Sequence, residues 1–244
     1  MLADINDIEQ LENCQTTGEL EAAATSLAEA LGFEYWAYGL DLPVFDDHRR
    51  QFLVGGYPDE WLEHYFAHDY LRADPVIAHC QIHTTPFAWP PPDASRHRKG
   101  TRRSLSERLF REAGEFGLKS GLAIPVHGLG CSWGLVSFAS KARRSDTELR
   151  SVLPRAHLIG HFIHEAGHHF ACVPGTPKPV HMTARERECL HWVALGKTSW
   201  EIGRLLSVSE RTVVFHVQNA GRKLDAKSRH AAVARAITLG LINP

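Results

Sequence analysis

The sequence predicts an α+β amino-terminal domain of layered helices and strands, followed by a small all-α domain of four helices. Three observations carry this. Before residue 171, helical periods alternate with short, compact apolar runs of strand character. After residue 181 only helical periods occur, in four short stretches each opened by Ser or Thr. Between them, ACVPGTPKPVH (171–181) holds three prolines and a glycine in eleven residues, a density that no regular element tolerates. The expected division is therefore 1–170, a linker at 171–181, and 182–244. A chain of 244 residues with 43% apolar content is long enough for two domains, each with its own core.

In the first domain, Thr16-x-x-Glu19 has the form of a capping box and opens a helix over 17–31, with Leu20, Ala23, Ala24, Leu27 and Leu31 on one face. Tyr35–Leu40 is aromatic-rich and reads as a buried strand. Residues 58–68 and 74–82 read as short helices, and 104–116 as a third on Leu105, Leu109, Phe110 and Ala113. Two strand-like runs follow, Gly121–Val126 and Trp133–Ala139, separated by the glycine turn HGLGCS. A long helix from about Ser145 to Phe170 carries Leu149, Val152, Leu153, Ala156, Ile159, Ile163, Ala166 and Phe170 as its apolar stripe.

In the second domain, Thr183-Ala-Arg-Glu186 is a capping box, and Cys189, Leu190, Val193 and Ala194 follow on one face before Gly196. Ser199 begins a second helix with Ile202, Leu205 and Leu206 expected inward. Ser207-Val208 makes a tight turn. Ser209 caps a third helix on Val213, Val217, Ala220 and Leu224; Ser228 caps a fourth on Ala232, Val233, Ala236 and Ile237, closed by Gly240. Four short helices with a turn between the second and third match a helix-turn-helix, whose third helix enters the major groove. Glu210, Arg211, Val214 and Phe215 would reach base edges, and His216, Arg222, Lys223 and Lys227 would contact phosphates. A helical interaction module with solvated basic faces has the same periodicity.

Composition narrows the function class. Residues 176–244 carry eleven Lys and Arg against five acids, a net charge of +6, which leaves −7 for residues 1–175. A basic module joined to an acidic one suits a nucleic-acid binder with an attached regulator. Five scattered cysteines, without a C-x-x-C pair, argue against a disulfide framework and a structural zinc site. No apolar stretch is long enough for a membrane helix, and the acidic start MLADINDIEQLENC is unlike a secretory signal. The expectation is a soluble, cytoplasmic protein without membrane contact.

Asp74 lies among Tyr57, Trp61, Tyr65 and Trp89. Such a carboxylate could accept an amide N–H from a small ligand, while Trp and Tyr donate to carbonyls and the rings form apolar walls. An aromatic core in which Asp74 caps a helix before Pro75 is the alternative. No receiver-type arrangement of acids and lysine is found; Asp46-Asp47 follows no suitable strand.

Residues 182–242 resemble the LuxR-type DNA-binding domain over its whole length, through Thr183, Arg185-Glu186, Gly196-Lys197-Thr198, Glu201-Ile202, Ser209-Glu210, Thr212-Val213, Phe215-His216-Val217, Lys223-Leu224, Arg229 and Leu239-Gly240-Leu241-Ile242. Val214 departs from the usual Lys or Asn, so promoter preference is expected to differ. The resemblance implies DNA contacts from Thr198, Ser209, Glu210, Arg211, Thr212, Val214, Phe215, His216, Arg222 and Lys223, and a homodimer on two-fold promoter sites, with RNA polymerase as a further partner.

The stretch Phe33–Phe138 is similar to the acyl-homoserine-lactone-binding domain of quorum-sensing LuxR-type receptors. That implies an α-β-α sandwich with an antiparallel sheet, an N-acyl-homoserine lactone as effector, and no cofactor. Carried over, Asp74 accepts the ligand amide N–H, Trp61 donates to the lactone carbonyl, and Tyr57 with Ser137 holds the acyl carbonyl. Tyr65 lines the acyl tunnel, Trp89 packs on the lactone, and Gly121 leaves room where a side chain would clash. The polar segment Pro90–Ser104 is longer than in relatives, and reads as a surface loop or a lid. An orphan or ligand-independent regulator is the alternative within the family.

His164-Glu165-Ala-Gly-His168 fits H-E-x-x-H, the helix of zinc proteases. With 16 histidines such a match arises readily by composition. A protease also needs a third ligand and a substrate cleft, and this copy sits at the end of a helix beside the proline-rich linker. The expectation is no enzyme and no metal. His157, His161, His164 and His168 share one helical face, which raises the alternative of a metal- or pH-responsive stripe.

Overall fold

The computed structural model describes residues 5–43, 49–90, 101–128, 132–171 and 180–244. Residues 172–179 of the expected linker, most of Pro90–Ser104, Asp46-Asp47, Cys131, Cys172 and the middle of HGLGCS lie outside the described residues. The chain divides into two compact units.

The larger unit runs α1 (Ile5–Glu12), α2 (Thr17–Ala30), β1 (Tyr35–Pro43), β2 (Arg49–Gly55), α3 (Asp59–Ala67), a 3-10 turn (Tyr70–Arg72), α4 (Pro75–Ile82), β3 (Phe87–Trp89), α5 (Thr101–Glu115), β4 (Ser120–His127), β5 (Trp133–Ser140) and α6 (Asp146–Ala171). The sheet order is β2-β1-β5-β4-β3, with β1/β5, β5/β4 and β4/β3 antiparallel. Elements α1, α2 and α6 cover one face; α3, α4 and α5 cover the other. This is the α-β-α sandwich with an antiparallel sheet. Helix α1 and strands β2 and β3 have no counterpart in the periodicity reading: β3 is only three residues long, and β2 begins Arg-Arg-Gln, too polar for an apolar-run criterion.

Strand alternation assigns the two faces. On β5, Val136 and Phe138 point toward the α6 layer, where Phe138 stacks on Phe33 at 5.7 Å between centroids. Trp133, Leu135 and Ser137 point the other way. Ser137 is flanked in register by Ala37 of β1 and Ala123 of β4. These small residues fill little of the space between the sheet and α3–α5.

Helix α6 lies close on the sheet because it carries glycine where the strands come nearest. A Cβ at Gly160 would meet Ile124 at 3.1 Å, and one at Gly167 would meet the Tyr38 ring, 2.7 Å from Cδ1. The smaller unit holds α7 (Ala184–Ala194), α8 (Ser199–Leu206), α9 (Glu210–Lys223) and α10 (Arg229–Thr238). Capping boxes open α7 (Thr183 with Glu186) and α8 (Thr198 with Glu201); Ser209 and Ser228 cap α9 and α10. Ser207 takes a left-handed φ of 56° and ends α8. Gly203 lets the chain turn back, since a Cβ there would sit 2.8 Å from the Val208 carbonyl oxygen. Two inward expectations fail: Leu205 is 51% and Ile237 is 37% exposed. The buried stripe of α8 centres on Ile202, Gly203 and Leu206, and that of α10 on Ala232 and Ala236, so each outlier falls about a quarter-turn off its stripe.

Replacing Gly167 with Leu should drive α6 off Tyr38 and lower stability by about 1–3 kcal/mol, read as a fall in Tm on thermal denaturation. An unchanged Tm would remove the close approach from the account.

Candidate functional site

A cavity of about 390 Å³ lies between the sheet and α3–α5. Six of the seven expected ligand-binding residues line it: Tyr57, Trp61, Tyr65, Asp74, Trp89 and Ser137. Trp61 and Tyr65 stand one helical turn apart on α3 and so share its inner face. Asp74 is the N-cap of α4, with Pro75 at the first helical position; its Oδ1 accepts the Val76 N–H at 2.7 Å. Its Oδ2 accepts the Tyr65 O–H at 2.9 Å. Asp74 is thus both the helix cap and a cavity group, joining the two alternatives that the sequence left open.

Ser137 Oγ accepts from Tyr57 Oη at 2.9 Å and Trp89 Nε1 at 3.2 Å. Gly121 stands apart: it does not line the cavity. A Cβ there would fall on the Phe138 carbonyl oxygen and the Trp89 ring, 2.7 Å from Cε2. A side chain would clash there, as expected, and the clearance is for the ring of Trp89, itself part of the cavity wall. The Trp61 indole N–H makes no hydrogen bond among the described residues and borders the cavity.

Sequence reasoning missed much of the wall, including Ala37, Gly39, Leu40 and Asp41 on β1, Gln51, Phe52 and Leu53 on β2, Arg72 on the 3-10 turn, Gln81 on α4, Leu109, Phe110 and Ala113 on α5, and Trp133 and Leu135 on β5. The small-residue alternation Ala37-x-Gly39 was the available signal. Trp89 is seated by stacking on Phe110 at 6.3 Å and 17°.

Burial pushes the Asp74 carboxyl up from its ordinary 3.8 to about 6, against the pull of the Val76 N–H, the Tyr65 hydroxyl and the Ile77 N–H. Burial and the neighbouring Asp74 charge push the Tyr65 phenol up as well, and Tyr57 moves the same way despite its bond to Ser137. Both tyrosines stay protonated donors at neutral pH.

In the smaller unit, Glu210, Arg211, Val214 and Phe215 are exposed along α9, and His216 is half-buried. Other expected DNA residues are engaged within the fold. Thr198 caps α8. Ser209 caps α9 and bonds the Thr212 hydroxyl at 2.7 Å. Arg222 bonds Asn219. Lys223 Nζ donates to Glu186 Oε2 at 2.7 Å and to the His181 carbonyl at 3.1 Å. Burial pushes Glu186 up, but Lys223 and the Thr183 N–H outweigh it and hold the carboxyl below the ordinary range. Lys223 therefore ties the end of α9 to the start of α7, while its side chain stays 39% exposed.

Of the H-E-x-x-H residues on α6, His164 packs against the sheet. His164 Nδ1 is hydrogen-bonded to Tyr38 Oη at 2.9 Å, Glu165 is exposed, and Gly167 is the glycine against Tyr38. Burial, with His168, His161 and His127 nearby, pushes His164 down to about 4. Among the described residues, no three His, Cys, Asp or Glu side chains form a potential metal site. Within the same residues no helix is long and apolar enough to cross a membrane.

The autoinducer binding domain family matches residues 16–167, and the luxR family of bacterial regulatory proteins matches residues 180–236. The chain belongs to the LuxR family. It is 33% identical over 236 residues to the transcriptional activator protein VanR of Vibrio anguillarum, covering 96% of this chain and 95% of VanR. It is 38% identical over 193 residues to the quorum-sensing-dependent regulator RpaR of Rhodopseudomonas palustris, covering 78% and 74%. Among solved structures, SdiA of Escherichia coli has the same fold: TM-score 0.74, 24% identity, 98% of this chain and 97% of SdiA. A second SdiA structure, in complex with octanoyl-rac-glycerol, matches with TM-score 0.73 at 23% identity, covering 97% and 93%. Like its LuxR-family relatives, the chain is a ligand-responsive, DNA-binding regulator of transcription and not an enzyme.

Two tests follow. A carboxyl raised by folding contributes stability present below its unfolded value and lost as pH rises through about 6. Without ligand, Asp74→Asn should therefore be more stable than the unmodified chain at pH 7.5, by roughly 1–3 kcal/mol. The gap should close near pH 4, as followed by urea denaturation; a constant gap would contradict the burial. Lys223→Ala should lower the stability of the smaller unit by about 1–3 kcal/mol, since it strips a buried carboxylate of its partner. A loss confined to DNA affinity, with Tm unmoved, would restore Lys223 as a phosphate contact.

Proposed function

We propose that the chain binds an N-acyl-homoserine lactone in its amino-terminal domain (1–170) and promoter DNA through its carboxy-terminal domain (182–244), joined by a linker at 171–181. The observation that carries this reading is the distribution of polar groups in the cavity. A carboxylate (Asp74), an indole N–H without a partner (Trp61) and a Tyr57–Ser137–Trp89 cluster line it, Asp41, Gln51, Arg72 and Gln81 also border it, and most of the remaining wall is apolar. A ligand that offers an amide N–H, two carbonyls and an apolar tail complements Asp74, Trp61, the Tyr57–Ser137–Trp89 cluster and the apolar wall. In this reading Asp74 accepts the amide N–H, Trp61 donates to the lactone carbonyl, Tyr57 donates to the acyl carbonyl in place of Ser137, and Tyr65 flanks the tail.

The acyl tail fills space that the small residues of β1 and β5 leave empty. Binding thereby stabilises the folded state by RT ln(1 + [L]/Kd), and the stabilised form pairs as a homodimer on two-fold promoter sites in the cytoplasm, where RNA polymerase is recruited. Glu210, Arg211, Val214 and Phe215 read base edges, with His216 and Arg222 beside the phosphates.

The test is expression with a panel of N-acyl-homoserine lactones, followed by mass spectrometry of what the purified chain retains and by promoter-fragment binding. One panel member should be retained and should raise DNA affinity. Asp74→Ala should weaken its binding by about 10- to 100-fold. Retention of none, with full DNA affinity in their absence, would favour a ligand-independent regulator. An undiminished response in Asp74→Ala would refute the pocket assignment.

A further inference from the structure

Outside the cavity wall, one carboxylate gathers four donors. Glu112 on α5 is 9% exposed. Its Oε2 accepts from His64 Nε2 at 2.8 Å and from the Tyr70 hydroxyl at 2.5 Å, and its Oε1 from Arg108 Nε at 2.6 Å, with Arg111 Nη2 at 3.5 Å. The hydrogen bonds from His64 and Tyr70, ahead of the cost of burial, hold its carboxyl down at about 2. It stays charged throughout the pH range in which the protein works.

The donors are the rings that hold Trp61. The Trp61 indole stacks on His64 (6.0 Å, 27°) and on Tyr70 (6.4 Å, 27°). The same Tyr70 accepts the Asp74 backbone N–H on its carbonyl at 2.8 Å. One side chain of α5 therefore fixes, through Tyr70 and His64, both the plane of the Trp61 donor and the start of the segment that places the Asp74 acceptor.

We propose that Glu112 is a positioning residue for ligand selection: it sets the orientation of the Trp61 N–H relative to Asp74, and thereby the preference for ligands with a carbonyl on the ring beyond the amide. This rests on the lactone reading of the cavity. Glu112 touches no ligand; it lies behind the wall and acts through two rings. A charged hydrogen-bond acceptor in a water-poor place holds its donors more tightly than a neutral one, so the neutral isostere should loosen Trp61 without emptying the core.

The experiment measures binding of two probes to the full chain by calorimetry: the retained N-acyl-homoserine lactone, and the N-acyl-cyclopentylamine of the same acyl length, which keeps the amide and lacks the ring carbonyl. In the unmodified chain the lactone should bind at least tenfold more tightly. Glu112→Gln should lower that preference to about threefold or less, mainly by weakening the lactone. Trp61→Phe should do the same, and Glu112→Gln in the Trp61→Phe background should leave the preference where Trp61→Phe put it. If Glu112→Gln is recovered only as aggregate, Tyr70→Phe, which removes one donor and no charge, carries the same comparison. Equal weakening of both probes, or additive losses in the double variant, would reduce Glu112 to a structural tie and overturn the proposal. Failure of the lactone reading would be distinguishable, because the unmodified chain would then show no preference between the probes.

Discussion

A carboxylate set among aromatic rings is costly to ionise, and Asp74 offsets that cost only in part. It accepts the Val76 N–H and the Tyr65 hydroxyl, yet burial still dominates and its carboxyl sits well above the ordinary range. A buried acid in that condition draws any further N–H donor that can reach it. The ligand-free domain therefore carries an unmet electrostatic demand at its centre. The same side chain caps α4, so satisfying the demand also secures the helix that covers the cavity. In the proposed function, ligand capture and local folding would be coupled through two oxygens of one residue.

The cavity itself is a consequence of residue volume. Ala37, Gly39, Ala123 and Ser137 occupy the middle of the sheet on the side of α3–α5, where close packing would call for branched side chains. On the opposite face Trp36, Ile124, Val136 and Phe138 are fully buried under α6. One sheet thus supports a packed half and an underfilled half. The packed half can be tight because glycines let α6 approach; the underfilled half leaves the cavity that a ligand would fill in the proposed function. Trp89 reaches Ser137 only because Gly121 leaves the ring a place to lie.

What was legible in the sequence follows from what each signal depends on. The capping residues were readable because a cap is a local bargain between a side chain and the next turn: Thr16, Thr183, Ser209 and Ser228 all cap as their spacing requires. The long α6 was readable from one sustained stripe. Strands β2 and β3 were not, since one opens with charged residues and the other is too short to show a period. The position of the ligand residues came from resemblance alone; the composition around Asp74 admitted either a core or a pocket. Long-range partners were invisible. Lys223 with Glu186, and Glu112 with His64 and Tyr70, are separated by dozens of residues, and nothing in a basic or acidic side chain announces whether it faces solvent or another element.

That last distinction reshapes the DNA-reading face. Several side chains that the resemblance assigns to DNA hold the helices in place: Thr198 and Ser209 cap α8 and α9, and Lys223 clamps α9 to α7. A recognition helix must be rigid before its outward side chains can discriminate, because each base contact contributes only about 1–3 kcal/mol and a loose helix would dissipate it. The residues left facing outward are Glu210 and Arg211, which can hydrogen-bond, and Val214 and Phe215, which cannot through their side chains. In the proposed DNA-reading role, an exposed valine at 214 would offer only methyl groups to the groove, and the complementary feature there would be the thymine methyl. On that proposal, readout at position 214 would be apolar, presented by a helix whose ends are held by the Ser209 cap and the Lys223–Glu186 pair.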